Sequence, residues 1–542
     1  MRYVGITFGP IVEALDLART PAGLWAASFL FSQLSRDVCA GLALQVGEEA
    51  IILPYFSAGD PGLSLEDGVG LFHDRIIARS EDLSLEQVNA VIREAKDNLA
   101  WKLLRNALGA AKAGPAAPPG AAGAQTPEAD AYLAYFRAFF RVRAIAFNTD
   151  GNPVLVGGPK LDAIELEPQF SQQEARNHLL ELFESDPTSR RNDRIKSLVH
   201  STFNVGQDWQ LLGNAKIDGK PQAASIRDLA DIARSGLAQL EAAGPNPAQP
   251  NRAQPGAAAL DRLKRYRYYC VLQCDGDNVG RLLAATATGD IRAEFSKKLQ
   301  GYSRRAAEII YEYGGVTLYA GGDDLLAIVP VAGTCERTIL DLAADLAAEF
   351  AKATAATAPE GPPGGNAPHP PPDAAPPAGA TLSLGAAICY YKYPLYEALA
   401  RARGLLFGQA KNAPGKGALA VSLVKHSGQT ADFTLPQFTQ TEVAAKLGDV
   451  IRWSDGVYCN SVAHHLRQFD ALFSRAEKSD ELKALFDNTF DADFHAQIEG
   501  QLDVVRELSW LARTEAIQPG GLPPIDSLLR FARFFAEVGD DD

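Results

Sequence analysis

The chain has 542 residues, of which 46% are hydrophobic, an ordinary fraction for a globular protein and enough for several cores. It carries 52 lysines and arginines against 66 aspartates and glutamates, so its formal net charge is −14. This acidic balance disfavours a free-standing nucleic-acid-binding protein, which is usually basic, but it allows a subunit that meets RNA through partners.

The sequence contains no apolar run of membrane-spanning length. Its N-terminus, MRYVGITFG, lacks the charged start and apolar core of a signal peptide. The six cysteines are scattered and include no CxxC pair, which disfavours both a disulfide framework and a zinc ribbon. We therefore expect a cytoplasmic protein that makes no use of a membrane.

The N-terminal region predicts an α+β unit. Residues 1–8 have the pattern of a strand, and residues 11–40 have helical periodicity. Strands at 43–56 and 68–78 and a long helix at 84–112 are predicted next, which is the order of a ferredoxin-like unit. Because this unit contains no acidic turn, its expected role is structural.

One pair in this unit, His73-Asp74, is of a kind that recurs in metal-dependent phosphohydrolases. The pair falls inside a predicted strand, where successive side chains point to opposite faces. No further histidine is clustered nearby. The sequence therefore disfavours a nuclease site here.

Three stretches rich in proline, alanine and glycine, at 114–127, 244–259 and 355–380, have the composition of linkers or disordered insertions. The first and third are expected to interrupt domains as surface loops, and the second to separate the two halves of the chain. The predicted domains are a first α+β domain at 1–165, a helical intervening domain at 166–258, a second α+β domain at 259–430 and a helical C-terminal domain at 431–542.

The second α+β domain contains an acidic turn between two apolar strands. Strands are predicted at 316–320 and 325–330, joined by Gly321-Gly322-Asp323-Asp324. Paired glycines allow a tight turn at little steric cost. A turn has no need of two adjacent aspartates, whereas carboxylates at this spacing can bridge divalent cations. A plain hairpin with a polar tip is the alternative.

An upstream stretch favours the metal site. A predicted strand at 266–274 is followed directly by Asp275 and Gly276. The helical segment 291–313 has the length of a crossover, so this strand and the hairpin are expected to be neighbours. Three carboxylates would then form a two-metal site for nucleotidyl transfer, and Gly276 would let the backbone approach a phosphate. The candidate catalytic and metal-binding residues are Asp275, Asp323 and Asp324.

Lysines near predicted strand and helix ends are candidates for contact with a triphosphate. They are Lys392, Lys411 and Lys416, and we take Lys411 as the nucleotide-binding candidate. The alternative for each is a solvated surface residue, which is the usual environment of lysine.

Four stretches resemble the large polymerase/cyclase subunit of type III CRISPR effector complexes, in the Cmr or III-B branch. They are 6–35, the first metal motif CDGDNVGRLL at 274–283, the hairpin LYAGGDDLLAIVP at 318–330, and the helical stretch 391–411. The resemblance implies two ferredoxin-like palm domains, with the metal site in the second.

The resemblance also implies an activity and partners. The enzyme would use two Mg²⁺ or Mn²⁺ ions to join ATP into cyclic oligoadenylate when a guide RNA pairs with target RNA, within a complex of other Cmr-type subunits. Gly321 and Gly322 would approach the triphosphate, and Ser296 would lie near the nucleotide. Some members of the family join AMP to S-adenosylmethionine instead, and this alternative stays open.

The sequence departs from the family pattern in two respects. It begins directly at the palm-like stretch, so we expect the HD nuclease domain to be absent. It also lacks the cysteine pairs often found between the palms, so we expect no structural zinc. A diguanylate-cyclase-like enzyme is disfavoured because Asp324 and Leu325 stand where such enzymes have Glu and Phe. A non-catalytic scaffold is disfavoured by the three carboxylates.

Overall fold

The computed structural model describes most of the two α+β regions and parts of the remainder. The main described ranges are 1–60, 68–81, 83–108, 127–166, 264–285, 289–333, 337–355, 380–453, 478–490, 499–514 and 525–535, with shorter pieces within 178–235 and 462–476. The three predicted linkers fall almost entirely outside the described residues. No described helix has both the length and the apolar character needed to cross a membrane.

A four-stranded antiparallel sheet organises the N-terminal region. Its strand order is β2-β3-β1-β4, with β1 paired to both β3 and β4. This order is that of a ferredoxin-like unit, as predicted. The elements are β1 (Arg2–Gly9), α1 (Ile11–Leu17), α2 (Pro21–Val46), β2 (Ile51–Leu53), β3 (Arg75–Arg79), α3 (Leu85–Leu108), α4 (Pro127–Phe139), β4 (Arg141–Asn148) and α5 (Pro153–Glu165).

Helix α2 is the central helix of this region. Thr20 caps it by accepting a hydrogen bond from the backbone N–H of Gly23 at 3.1 Å, and proline occupies the first helical position. Residues 21–35 are all buried, as expected for a helix that is apolar on every side. The helix ends at Gly47, whose φ of +86° suits glycine.

Two strand predictions in this region are wrong in extent. The predicted strand 43–56 is helical as far as Val46, because its apolar residues continue the periodicity of α2, and only Ile51–Leu53 is a strand. The predicted strand 68–78 is reduced to Arg75–Arg79. Strand β4 was missed.

The second sheet repeats the first and extends it. Its order is β10-β11-β9-β12-β13-β14, and its first four strands have the same arrangement as the N-terminal sheet. Strand β13 adds in parallel to β12, and β14 adds antiparallel to β13. The elements are β9 (Tyr268–Asp277), α6 (Val279–Ala285), α7 (Gly289–Tyr313), β10 (Val316–Gly321), β11 (Asp324–Pro330), α8 (Ile339–Ala355), β12 (Thr381–Tyr390), α9 (Leu395–Gly408), β13 (Leu419–Val424) and β14 (Thr430–Leu435).

The predicted neighbours in the second sheet are confirmed. Strands β10 and β11 form a hairpin in which Gly321 opposes Asp324, and β11 pairs antiparallel with β9. The last β9 residue paired with β11 is Cys274, opposite Leu325. Asp275 therefore lies one residue beyond that ladder, beside the turn.

The two other predicted domains are only partly described. Within 166–258 the structure describes two short strand pairings, β5 (Leu212–Gly213) with β8 (Ser225–Ile226) and β6 (Lys216–Ile217) with β7 (Lys220–Pro221). The described helices after β14 are α10 (Glu442–Trp453), α11 (Asp470–Phe473), α12 (Ser479–Thr489), α13 (Glu499–Thr514) and α14 (Ile525–Phe534). Strand β14 crosses the predicted boundary after residue 430. The domain boundaries remain predictions.

Helix α9 packs so closely on β12 that glycine is required at position 385. A Cβ on Gly385 would lie 2.5 Å from the carbonyl oxygen of Ala402 and 2.6 Å from the backbone nitrogen of Leu406. We expect Gly385→Ala to lower the free energy of unfolding by at least about 1–3 kcal/mol, because helix backbone cannot yield as a side chain does. Urea denaturation of the full chain measures this.

Gly404 on the same helix provides the matched control. A Cβ there meets no atom within 4 Å. Gly404→Ala should therefore keep or raise stability, by about 0.5–1 kcal/mol for an exposed helix position. Equal unfolding midpoints for the two alanine variants would contradict the packing argument.

Candidate active site

Strand β9 ends in the sequence Asp275-Gly276-Asp277, and its two carboxylates have different environments. Asp277 has 0% side-chain exposure and Asp275 has 22%. The Oδ2 atom of Asp277 accepts hydrogen bonds from the hydroxyls of Thr381 (2.9 Å) and Ser383 (2.7 Å) and from the backbone N–H of Gly417 (2.9 Å). Asp277 therefore ties the end of β9 to β12 and to the loop before β13.

Lys411 joins both carboxylates. Its Nζ lies 2.8 Å from Oδ2 of Asp275 and 2.9 Å from Oδ1 of Asp277. It also donates to the carbonyl oxygens of Asp275 at 2.9 Å and Gly276 at 2.7 Å. An ammonium group has three protons, and these four acceptors already engage them. In this structure Lys411 therefore binds the acidic end of β9 and does not extend away from it.

Neighbouring atoms leave no room for a side chain at two glycines of the site, Gly276 and Gly321. A Cβ on Gly276 would lie 2.7 Å from the Cβ of Asp323, and one on Gly321 would lie 2.0 Å from the hydroxyl of Tyr319. Gly322 has a φ of +70°, the left-handed conformation of the turn. These contacts bring the turn directly against the end of β9.

Helix α7 holds the turn from one side. The hydroxyl of Ser303 contacts the carbonyl oxygen of Gly322 at 3.0 Å and that of Leu299 at 3.1 Å. Two turns earlier, Ser296 accepts a hydrogen bond from the backbone N–H of Tyr55 at 2.8 Å. The same helix thus contacts both the acidic turn and the N-terminal unit.

The N-terminal unit forms the opposite wall of the site. The backbone N–H of Ala320, in the hairpin, donates to the carbonyl oxygen of Gly70 at 3.0 Å. The imidazole Cδ2 of His73 lies 3.8 Å from the position that a Cβ on Gly322 would occupy. His73 and Asp74 precede β3, so their predicted placement inside a strand was wrong, and both line the site. No pattern in the sequence indicates this wall.

A cavity of about 360 Å³ lies between the two units, which is within the usual range for a small-molecule site. Five predicted site residues line it, namely Ser296, Gly321, Gly322, Asp323 and Asp324. The other three, Asp275, Gly276 and Lys411, lie behind the turn. Arg75 is the only lysine or arginine among the described residues that line the cavity.

The surroundings of the acidic turn disfavour the charged form of both of its carboxyl groups. Burial, and then the neighbouring charge of Asp275, raise the pKa of Asp323 to about 7. The pKa of Asp324 also lies well above its usual range, first because the surrounding protein desolvates the carboxylate and then because Asp323, Asp275 and Asp74 repel its charge, although Asp324 is itself an exposed residue at the start of β11. The Lys411 ammonium opposes both shifts without cancelling them.

The donor chemistry fits a hard divalent cation, because carboxylate oxygens are the ligands that Mg²⁺ and Mn²⁺ prefer. A cation would also offset the repulsion between Asp323 and Asp324. Within the described part of the chain, no three or more His, Cys, Asp or Glu side chains are already grouped as a metal site. The metal-binding roles of Asp275, Asp323 and Asp324 therefore remain predictions.

Sequence reasoning missed Asp277 and Ser303. A signal for Asp277 was present, because residues two apart in a strand share a face and Asp275-Gly276-Asp277 ends a strand. Ser303 lies seven residues after Ser296, a spacing that returns to the same face of a helix. Neither spacing identifies the residues that Asp277 and Ser303 bind. These partners come from β12, from the segment containing Lys411 and from the turn.

Two family models match the chain. Residues 268–420 match the second palm domain of Cas10/Cmr2, and residues 3–101 match the N-terminal region of the CRISPR-associated protein Cmr2. A known relative, the CRISPR system Cmr subunit Cmr2 of Pyrococcus furiosus, is 32% identical over 187 residues. This alignment covers 30% of the present chain and 19% of the relative, so the match spans about a fifth of that protein.

Solved structures share the fold. A type III-B Cmr-beta structure in the apo state aligns with a TM-score of 0.53 and 11% identity, over 97% of this chain and 78% of that one. A type III-B Cmr-beta structure bound to cognate target RNA aligns with a TM-score of 0.51 and 11% identity, over 97% and 80%. At such identities the likeness is one of fold.

The raised pKa of Asp323 predicts a pH dependence of stability in protein free of divalent cations. A folded pKa of about 7 against a usual 3.8 means that the folded state binds more protons in this window, so stability falls as pH rises through it. The groups that set this pKa are Asp275, Asp277 and Lys411. Asp323→Asn should therefore gain stability relative to the parent as pH rises from about 4 to about 7.

Thermal unfolding in a metal chelator, at several pH values, tests this dependence. The exposed Asp487 on α12 provides a matched control, because Asp487→Asn makes the same chemical change far from the turn. If the unfolding temperatures of the parent and of Asp323→Asn fall in parallel as pH rises, the pKa of Asp323 is not raised.

Loss of Lys411 should destabilise the fold as well as the site. Lys411→Met would leave Asp275 and the fully buried Asp277 without their cation, at a cost of about 3–5 kcal/mol for breaking a buried pair. Lys392→Met is the control, because Lys392 is exposed and contacts only the Tyr391 ring within the described contacts. Chemical denaturation that places both variants within about 0.5 kcal/mol of the parent would refute the bracing role.

Proposed function

We propose, on the premise of the two Cas10/Cmr2 family models that match this chain, that it is a Cas10/Cmr2 protein and the nucleotidyltransferase subunit of an RNA-guided type III CRISPR effector complex. Its substrate in this proposal is ATP, and its product is cyclic oligoadenylate. The observation that carries the proposal is the meeting of three aspartates at adjacent strand ends beside a cavity of about 360 Å³. The residues are Asp275, Asp323 and Asp324.

The charge of the cavity supports a metal-dependent reaction. A triphosphate brings several negative charges to a wall that already carries Asp323, Asp324 and Asp74. Arg75, which also lines the cavity, is paired with Asp162 at 2.6 Å and with Glu165 at 3.4 Å. Bound Mg²⁺ or Mn²⁺ would neutralise the triphosphate and lower the pKa of the attacking hydroxyl.

The proposed reaction forms one P–O bond and breaks another. A ribose hydroxyl oxygen attacks the α-phosphorus of ATP, its proton passes to water, and pyrophosphate leaves with the electron pair of the broken P–O bond. Asp323 and Asp324 would hold the cations at the turn, with Asp275 contributing from β9. Gly321 and Gly322 would bring backbone close to the phosphates, since a side chain at 321 would collide with Tyr319.

The partners in this proposal are the other Cmr-type subunits, a guide RNA and a target RNA. One structural neighbour is described as bound to cognate target RNA, which supports an RNA-containing assembly for this chain too. A net charge of −14 fits a subunit that meets RNA through less acidic partners.

The test is product analysis by mass spectrometry. The effector complex is incubated with ATP, Mg²⁺ or Mn²⁺ and matched target RNA, with and without S-adenosylmethionine. We expect cyclic oligoadenylate from the parent. Asp323→Asn/Asp324→Asn should lower its rate by on the order of 10²-fold or more, because metal-based charge stabilisation is worth several kcal/mol.

Asp487→Asn, on the exposed side of α12, should keep the parental rate. Adenylated S-adenosylmethionine in place of oligoadenylate would move the proposal to the conjugating alternative. No metal-dependent product from the parent under any of these conditions would reject the enzyme and leave a scaffold subunit.

A further inference from the structure

A buried glutamine on α7 has no polar partner. Gln300 is 6% exposed, and neither its Nε2 nor its Oε1 has a hydrogen bond within the described structure. Leaving buried amide atoms unpaired is costly, so native structures rarely retain such groups without a reason. Gln300 also lines the cavity between the two units.

The position of Gln300 on its helix directs it toward the site. Residues 296, 300 and 303 recur at helical spacing and so share one face of α7. On this face Ser296 bonds the N-terminal unit at Tyr55, and Ser303 bonds the acidic turn at Gly322. Gln300 lies between these two contacts, facing the gap that the cavity occupies.

The cavity is polar at the acidic turn and at a few other side chains, namely His73, Asp74, Arg75 and Ser296. Apolar side chains from both units also line it, among them Leu71 and Leu161 from the N-terminal unit and Val279 and Leu299 from the second. A nucleotide has the matching polarity, with a charged triphosphate at one end and a flat, largely apolar base at the other. Phosphates at the turn would direct the base toward the apolar part, where Gln300 is the adjacent carboxamide.

We propose that Gln300 is a base-recognition residue, whose carboxamide pairs with the edge of the adenine ring of a nucleotide bound at the turn. This proposal rests on the proposed function, since it assumes that the cavity binds ATP. A carboxamide offers one donor and one acceptor side by side, which matches the adjacent exocyclic amine and ring nitrogen of adenine. Binding would thereby give both amide atoms the partners that they lack.

The chemistry also defines what Gln300 can select. A carboxamide that turns by 180° exchanges its donor and acceptor, so it matches guanine as well as adenine. It cannot match purine riboside, which has the same ring and lacks the exocyclic amine. The predicted signature is therefore a preference for ATP over purine riboside triphosphate that depends on the residue at position 300.

Equilibrium binding to the full chain with Mg²⁺ tests this signature, using ATP, purine riboside triphosphate and inorganic tripolyphosphate. The parent should bind ATP roughly ten-fold or more tightly than purine riboside triphosphate, as expected for one paired edge. In Gln300→Met the two nucleotides should bind equally, while tripolyphosphate affinity stays parental. Thermal unfolding of Gln300→Met should stay level or rise, because the variant removes unpaired polar atoms.

Gln33→Met is the matched control. Gln33 is also buried, but its amide donates to Asp37 at 2.7 Å and it does not line the cavity. It should lose stability and keep the parental nucleotide preference. Gln300→Leu repeats the test with a different shape, in case the methionine variant does not fold.

The outcomes separate this inference from the proposed function. If the parent binds ATP but shows no preference, or if both Gln300 variants keep the preference, the role of Gln300 is rejected and the proposed function stands. If the parent binds neither nucleotide nor tripolyphosphate, the proposed function fails as well.

Discussion

The buried ion pair between Asp277 and Lys411 is the interaction on which the site depends. Asp277 is fully enclosed, and burying a carboxylate alone would cost several kcal/mol. The lysine ammonium and three further donors offset that cost, two of the donors coming from β12 and one from the loop before β13. The end of β9 is thereby fixed, and with it the backbone that carries Asp275.

Steric fit then places the acidic turn. Gly276 admits the Cβ of Asp323, and the Tyr319 ring fills the space over Gly321, so the hairpin tip contacts β9 without intervening side chains. The N-terminal unit closes the arrangement through Gly70 and through Tyr55. Because one cavity wall belongs to each unit, the shape of the site is fixed by the interface between them and not by the second sheet alone.

The sequence was sufficient for the parts of this arrangement that are local. Two short apolar runs and the paired glycines between them predicted the hairpin, and the crossover length made β9 its neighbour, as the ladder between Leu325 and Cys274 confirms. The sequence was insufficient where contacts between distant parts of the chain determine the structure. Helix α2 continues through residues that also fit a strand, and His73 reaches the cavity because β3 starts two residues later. Periodicity within one segment contains no information on such contacts.

The contrast between Asp277 and the turn aspartates separates structure from chemistry. All are carboxylates within one small region, yet the protein supplies Asp277 with a cation and a full set of donors. At Asp323 and Asp324 desolvation comes first and neighbouring negative charge second, and both raise the pKa values of these carboxyl groups. The fold surrounds the buried carboxylate of Asp277 with a cation and hydrogen-bond donors, yet it leaves the carboxylates of Asp323 and Asp324 to repel each other. This repulsion lowers the stability of the folded state. Such a cost is characteristic of functional sites, where a ligand provides the missing charge.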